Sequence, residues 1–167
     1  MLTFQGYENP DASVGIRNHL LILAATRGVH MIAKNVAAQI RGAHCFIPPD
    51  EDGKSSVDRA TISRVLIGLG KNPNVGAVLV LCNNEDEGYP ELTAANIANE
   101  IAKSGKPVEL LATDKNSGIY NTTGVGVHTA RQLLVRISGR QRVEASLGAL
   151  GVGGKCGLSG STSGICG

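Results

Sequence analysis

The fold class this sequence predicts is a three-layer, Rossmann-like parallel α/β sheet with helices on both faces and a glycine-rich C-terminal tail. Three observations predict it. Apolar runs of strand length alternate with segments of helical spacing, four times over. The runs are apolar at nearly every position rather than at alternate ones, as in strands buried on both faces. Glycine, proline and asparagine punctuate the joints.

The first unit opens with HLLILAA (19–25), a continuous strand-length run. Val29, Ile32, Ala33, Val36, Ala37 and Ile40 then follow at the spacing of one buried helix face, and Gly42 stands where a helix would stop. A short strand is expected at AHCFI (43–47) and a loop over 48–56. The second helix shows Ile62, Val65, Leu66 and Leu69 on one side, and the Lys-Asn-Pro-Asn of residues 71–74 ends it. VGAVLVL (75–81) is the strongest strand in the chain. After an acidic loop, Pro90 suits the first turn of a helix burying Ala94, Ile97, Ala98 and Ile101. Gly105 and Pro107 precede a strand over 107–113. A last helix, from about Asn121 to Arg142, carries Val127, Ala130, Leu134 and Ile137 on one side. Right-handed crossovers then put the binding crevice beyond the carboxyl ends of the strands.

Composition narrows the function. A net charge of +2 over 167 residues argues against a dedicated nucleic-acid binder, and no Trp, two Phe and three Tyr leave little for stacking on bases or sugars. No apolar run has membrane-spanning length, and the first residues lack the basic start and apolar stretch of a secretion signal. Four irregularly spaced cysteines suit reduced thiols. The expectation is a soluble cytoplasmic protein with no nucleic-acid or membrane partner.

Two nucleotide signatures fail. Gly53-Lys54-Ser55 would need a glycine where Pro48 stands to make a phosphate loop. Gly124-Val125-Gly126 leads to Thr129, and Gly151-Val152-Gly153 to Cys156, where a dinucleotide fingerprint needs glycine; no nucleotide cofactor is expected. The carboxylates of 85–87, after the strongest strand, could hold a divalent ion or exchange protons. A solvated loop near a helix N-terminus is the reading that stands ahead of both, and Asp50, Glu51 and Asp52 are discounted alike. His30 and His128 are expected to be packed or surface histidines, and Cys45 a small buried hydrophobe. Arg17-Asn18-His19, before the first strand, offers a bidentate grip for a carboxylate beside an amide and an imidazole. An arginine covering the sheet edge is the other reading.

VGIRNHLLIL (14–23), preceded by FQGY (4–7), resembles the opening of the main domain of the altronate/galactarate dehydratase family, which reads Gly-Tyr, then Val-Gly-x-Arg-Asn, then an apolar strand. RVLIGLGKNPNVGAVLVL (64–81) is similar to that family's helix–Asn-Pro-Asn–strand segment. GGKCGLSGSTSGICG (153–167) is similar to its Cys-Gly-Gly-Ser-Asp segment, which introduces a following domain. The resemblance implies residues 1–145 as a Rossmann-like domain and 146–167 as a glycine-rich lead into further polypeptide. It implies a carbon–oxygen lyase that removes water from a sugar acid to give a 2-keto-3-deoxy acid, with a divalent metal such as iron or manganese and no activity in this piece alone. By the same carry-over, His19, Lys155 and Cys156 are the catalytic candidates, and Arg17, Asn18 and Ser159 the substrate-binding ones. No metal ligand is assigned. Residues 48–56 lack the family's His-Gly-x-Gly-Cys, Arg27-Gly28 stands where a cysteine is frequent, and Cys-Gly-Leu-Ser-Gly lacks the aspartate. Those departures bring in the related sulfolactate sulfo-lyase large subunit, or a non-catalytic sugar-acid-binding module, as alternatives. A separate small subunit and a homo-oligomer are the protein partners the resemblance leaves open.

Overall fold

The structure is a computed structural model that describes residues 2–48, 55–86, 88–154 and 157. Four strands run parallel in one sheet: β3 (His19–Ala24), β4 (Ala43–Phe46), β5 (Val75–Cys82) and β6 (Val108–Ala112). Their order is β4-β3-β5-β6, so the chain steps one way from β3 and then crosses back over it, the doubly wound pattern.

Both faces of the sheet are covered, as continuous apolar strands require. Leu20, Ile22, Leu79 and Leu81 meet α1 (His30–Ala38) and α4 (Ile119–Ser138) through Ile32, Val36, Ala130, Leu133 and Ile137. On the other face Leu21, Leu23, Val78 and Val80 meet α2 (Ser56–Lys71) and α3 (Ala94–Ala102) through Leu66, Ile97 and Ile101. All eight residues of β5 are buried. Gly126 of α4 lets that helix close on Val36 of α1, whose methyl would lie 3.0 Å from a Cβ there.

The helix starts follow local chemistry. The Ser55 hydroxyl accepts from the Asp58 backbone N–H while the Asp58 carboxylate takes the Ser55 N–H, a complete capping box for α2. Thr93 caps α3 by accepting from Asn96 N–H at 3.2 Å. Pro90 therefore lies outside α3, in a separate 3-10 turn (Pro90–Leu92), because the threonine three residues on is the better cap. The first helix ends at Ala38, ahead of the expected stop; Gly42, at φ +87°, serves instead as the left-handed residue of the turn into β4. Val65 is 48% exposed, so α2 buries a narrower stripe than its spacing suggested.

One layer escaped the sequence reading. β1 (Thr3–Glu8) pairs antiparallel with β2 (Val14–Gly15) on one side and with β7 (Val143–Ser146) on the other. The expected long last helix thus ends at Ser138, and the residues after it form a strand. These strands are short and half-exposed, and β1 and β7 meet across the length of the chain, so no local pattern marks them. Arg142 pins the layer: it lies over the Tyr7 ring, 4.7 Å from its centre, and donates to the carbonyls of Gln5 (2.8 Å) and Ile16 (3.2 Å).

The two-sided burial predicts that Leu79→Ala lowers unfolding free energy by about 3–5 kcal/mol, whereas Val65→Ala lowers it by less than about 1 kcal/mol. Urea denaturation followed by circular dichroism checks both.

Candidate functional site

A sheet sealed on both faces leaves only its two edges for polar chemistry. At the amino edge the organising element is the turn Asn72-Pro73-Asn74, between α2 and β5. Asn74 accepts the backbone N–H of Arg17 on its side-chain oxygen (3.0 Å) and that of His19 on its carbonyl (2.8 Å), so it places both residues flanking Asn18. The buried Asn9 donates to the Pro73 carbonyl at 2.9 Å. Lys106, 4% exposed, donates to the carbonyls of Lys71 (2.9 Å) and Asn72 (2.7 Å), filling acceptors that the end of α2 leaves open. Burial pulls the Lys106 ammonium down to about 8, against which nearby Asp11 works. Gly15 is needed because a Cβ would run into the Pro73 carbonyl.

The three sequence-predicted residues here do different work. Asn18 donates to the Ile137 carbonyl at 2.7 Å, closing the end of α4, and accepts from Arg140 at 3.3 Å. Arg140 also reaches Asn9 (3.2 Å) and the Glu8 carbonyl. Gly76 leaves the space that the Asn18 amide fills. Both ends of that amide are therefore engaged in structure. Arg17 is exposed, and its guanidinium donates to its neighbour's carbonyl, Ile16, at 3.1 Å. His19, half-buried, meets His44 of the adjacent strand edge-to-face, ring centres 4.1 Å apart. Desolvation first, then the His44 ring and the Arg17 charge, hold His19 below the ordinary histidine value.

Beside Arg17 lies a groove of 340 Å³ between residues 14–16, the Asn72-Pro73-Asn74 turn and residues 150–153. The chain thus passes this edge just before Lys155. Lys155, Cys156 and Ser159 themselves lie outside the described residues, as do residues 49–54 and Glu87. A second cleft, of 470 Å³, opens on the same edge between Glu8, Pro107, Arg136 and Arg140.

Arg17, Asn18 and His19 precede or open β3 and so stand at the amino ends of the strands, because all four run the same way, whereas the crevice expected beyond the carboxyl ends lies at the opposite edge. The carboxyl edge holds the acidic stretch. There Glu85 pairs with Lys115 at 2.6 Å and Asn84 donates to Asp114 at 2.7 Å, making a charge-paired loop. The Thr26 hydroxyl accepts the Asn83 N–H at 3.0 Å, and the Asn83 amide lies where a side chain on Gly28 would go. Among the described residues no three His, Cys, Asp or Glu side chains converge as a metal site would need. His128 is exposed on α4 and bonds Gln132 at 3.0 Å, and Cys45 is partly buried, its thiol pushed up by burial. Asn74, Lys106, Asn9, Arg140 and His44 were not singled out from sequence. The Asn-Pro-Asn turn ahead of the strongest strand was the one local signal pointing to them.

Fold and edges together define a doubly wound α/β unit whose polar residues gather at the two ends of its strands. Residues 6–138 match the model of the D-galactarate dehydratase/altronate hydrolase family, second domain, and the chain belongs to that family. The beta subunit of (2R)-sulfolactate sulfo-lyase from Chromohalobacter salexigens is 34% identical over 165 residues, which is 99% of this chain and 40% of that protein. The chain therefore spans well under half the length of that relative. Among the described residues no helix is long and apolar enough to cross a membrane.

Two predictions follow from the amino edge. Asn18→Ala should lower stability by about 1–3 kcal/mol by removing the amide that donates to the Ile137 carbonyl and accepts from Arg140, while Arg17→Ala changes it by under about 0.5 kcal/mol; thermal melts compare them. Lys106 releases its proton near pH 8 when folded and near its ordinary 10.5 when unfolded. Between those values the unfolded chain holds a proton the folded chain lacks, so stability rises with pH across that window. Relative to Lys106→Met, the parent protein should gain about 1–3 kcal/mol from pH 8 to 10.5, read by urea titrations at each pH.

Proposed function

We propose that this chain forms one wall of the active site of a lyase that eliminates a leaving group next to a carboxylate, acting on a sugar acid to release water and a 2-keto-3-deoxy acid. The observation that carries the reading is the family match over residues 6–138, which takes in Arg17-Asn18-His19 and the Asn72-Pro73-Asn74 turn that positions them.

The reaction asks for three things. A base must take the weakly acidic proton on the carbon bearing the carboxylate. The electron pair left behind forms the carbon–carbon double bond as the bond to the β-hydroxyl breaks, and that oxygen leaves as water after receiving a proton. The enol so formed tautomerises to the 2-keto acid. Charge building on the carboxylate needs fixed donors, and in this reading Arg17 supplies them from the open side of the groove. His19, Lys155 and Cys156 are the proton carriers and Ser159 binds a substrate hydroxyl. Asn18 holds Arg17 and His19 in place through α4. The family resemblance implies iron or manganese, but the described residues bring no three ligands together. No step here is routed through such an ion.

A second reading has its own support. The relative that aligns with nearly the whole chain is a sulfo-lyase subunit, so sulfite from a sulfonated hydroxy acid is the rival leaving group, with the same proton abstraction. The word "subunit" in its name supports a separate partner chain completing the enzyme. A cytoplasmic setting fits the free thiols of Cys45 and Cys82.

The test assays the complete product of the gene, and the 167-residue chain beside it, for keto-acid formation from a panel of sugar acids and for sulfite release from sulfolactate. The reading expects one of the two products from the complete product. Arg17→Ala should reduce kcat/KM about 100-fold or more in a protein that melts normally, with Arg17→Lys recovering only part, because an ammonium lacks the planar fork. A folded complete product that turns over neither class with any added divalent metal would overturn the reading.

A further inference from the structure

His44 has no part in the reading above, and it is the feature that extends it. It lies in β4, the edge strand, opposite Leu21 of β3. His19 stands two residues before Leu21, so both imidazoles project from the same face of the sheet at its amino edge. Their ring centres are 4.1 Å apart at an interplanar angle of 71°, and His44 is exposed. Among the described residues neither ring has a hydrogen-bond partner. Two imidazoles in contact, with no carboxylate, carbonyl or hydroxyl bonded to either among the described residues and with one of them exposed, have the makings of a two-nitrogen chelate.

We propose that His19 and His44 together bind a divalent ion of the borderline class, Ni²⁺, Zn²⁺ or Cu²⁺, one per chain. Nitrogen donors select such ions over Mg²⁺ or Ca²⁺. Two imidazoles on one ion hold their ring centres about 5 Å apart, given metal–nitrogen bonds of about 2 Å. The rings are already nearer than that, so binding needs the exposed His44 side chain to swing outward about χ1 as well as χ2, with no backbone shift. Arg17 is the nearby charge that works against a cation. It makes an anion on the ion's open positions favourable, and the carboxylate that Arg17 is proposed to grip would serve.

This inference goes beyond the lyase reading and revises one role in it, although ion binding itself is measured apart from turnover. A metal-bound His19 no longer accepts the substrate proton, which leaves that step to Lys155 or Cys156. Loss of the ion site would return His19 to proton transfer and leave the lyase reading intact.

The test uses Ni²⁺ alone with the 167-residue chain at neutral pH, by calorimetry and by imidazole nitrogen NMR. The sequence has four histidines, so each ring serves as a reporter. Substoichiometric Ni²⁺ should broaden the His19 and His44 rings before His30 and His128. His44→Gln and His19→Gln should each weaken binding roughly tenfold or more, since either change removes the chelate, and the double variant should be little worse than either single one. His44 is exposed, so His44→Gln should keep the parent melting temperature, whereas His128→Gln should bind as the parent does. Broadening of His30 or His128 first, unchanged affinity in a folded His44→Gln, or no saturable binding would each overturn the proposal.

Discussion

Burying β3 and β5 on both faces is the constraint from which the rest of the molecule follows. A strand pair with no wet face must satisfy every backbone group within the sheet and must carry apolar side chains throughout. Leu20 to Ala24 and all of β5 meet that demand, with α1 and α4 on one side and α2 and α3 on the other. Polar residues are thereby driven to the two edges, where helix ends and turns need partners. A molecule built this way has its chemistry at the rims.

The two rims are built differently. At the carboxyl rim two neighbouring loops answer one another: Lys115 pairs with Glu85, and the Asn84 amide donates to Asp114. At the amino rim the bonds join distant parts of the chain. Asn18 reaches the end of α4, Lys106 the end of α2, and Asn9 the turn before β5. Such a network ties the ends of two helices, the start of β3 and the small antiparallel layer into one body. It leaves Arg17 and the His19–His44 pair standing outward from a braced support, and fixed polar groups on a rigid base are what a site for a charged ligand needs.

Sequence patterning showed the site only where its signal was local. Arg17-Asn18-His19 stood out because three polar residues interrupt an apolar context, and the Asn-Pro-Asn turn because proline ends a helix there. Yet composition could not tell that Asn18 serves the end of α4 while Arg17 is free to meet a ligand, since the difference lies in a partner 119 residues away. His44 read as one polar residue in a weak strand. It gains meaning only from the register that seats it diagonally to His19. Lys106 carries no local signal between Gly105 and Pro107, and only its burial against the α2 carboxyl end gives it a role.

The sequence by itself determined the alternation of buried strands and amphipathic helices, the order of the elements and the family resemblance, because apolar periodicity and turn residues act over a few neighbours. Only the tertiary structure decided at which edge Arg17, His19 and His44 come together, that residues 143–146 close a sheet with residues 3–6, and which polar side chains are committed to helix ends. Those outcomes depend on groups brought together from opposite ends of the chain. Their pairing energy does not exist until the sheet has folded.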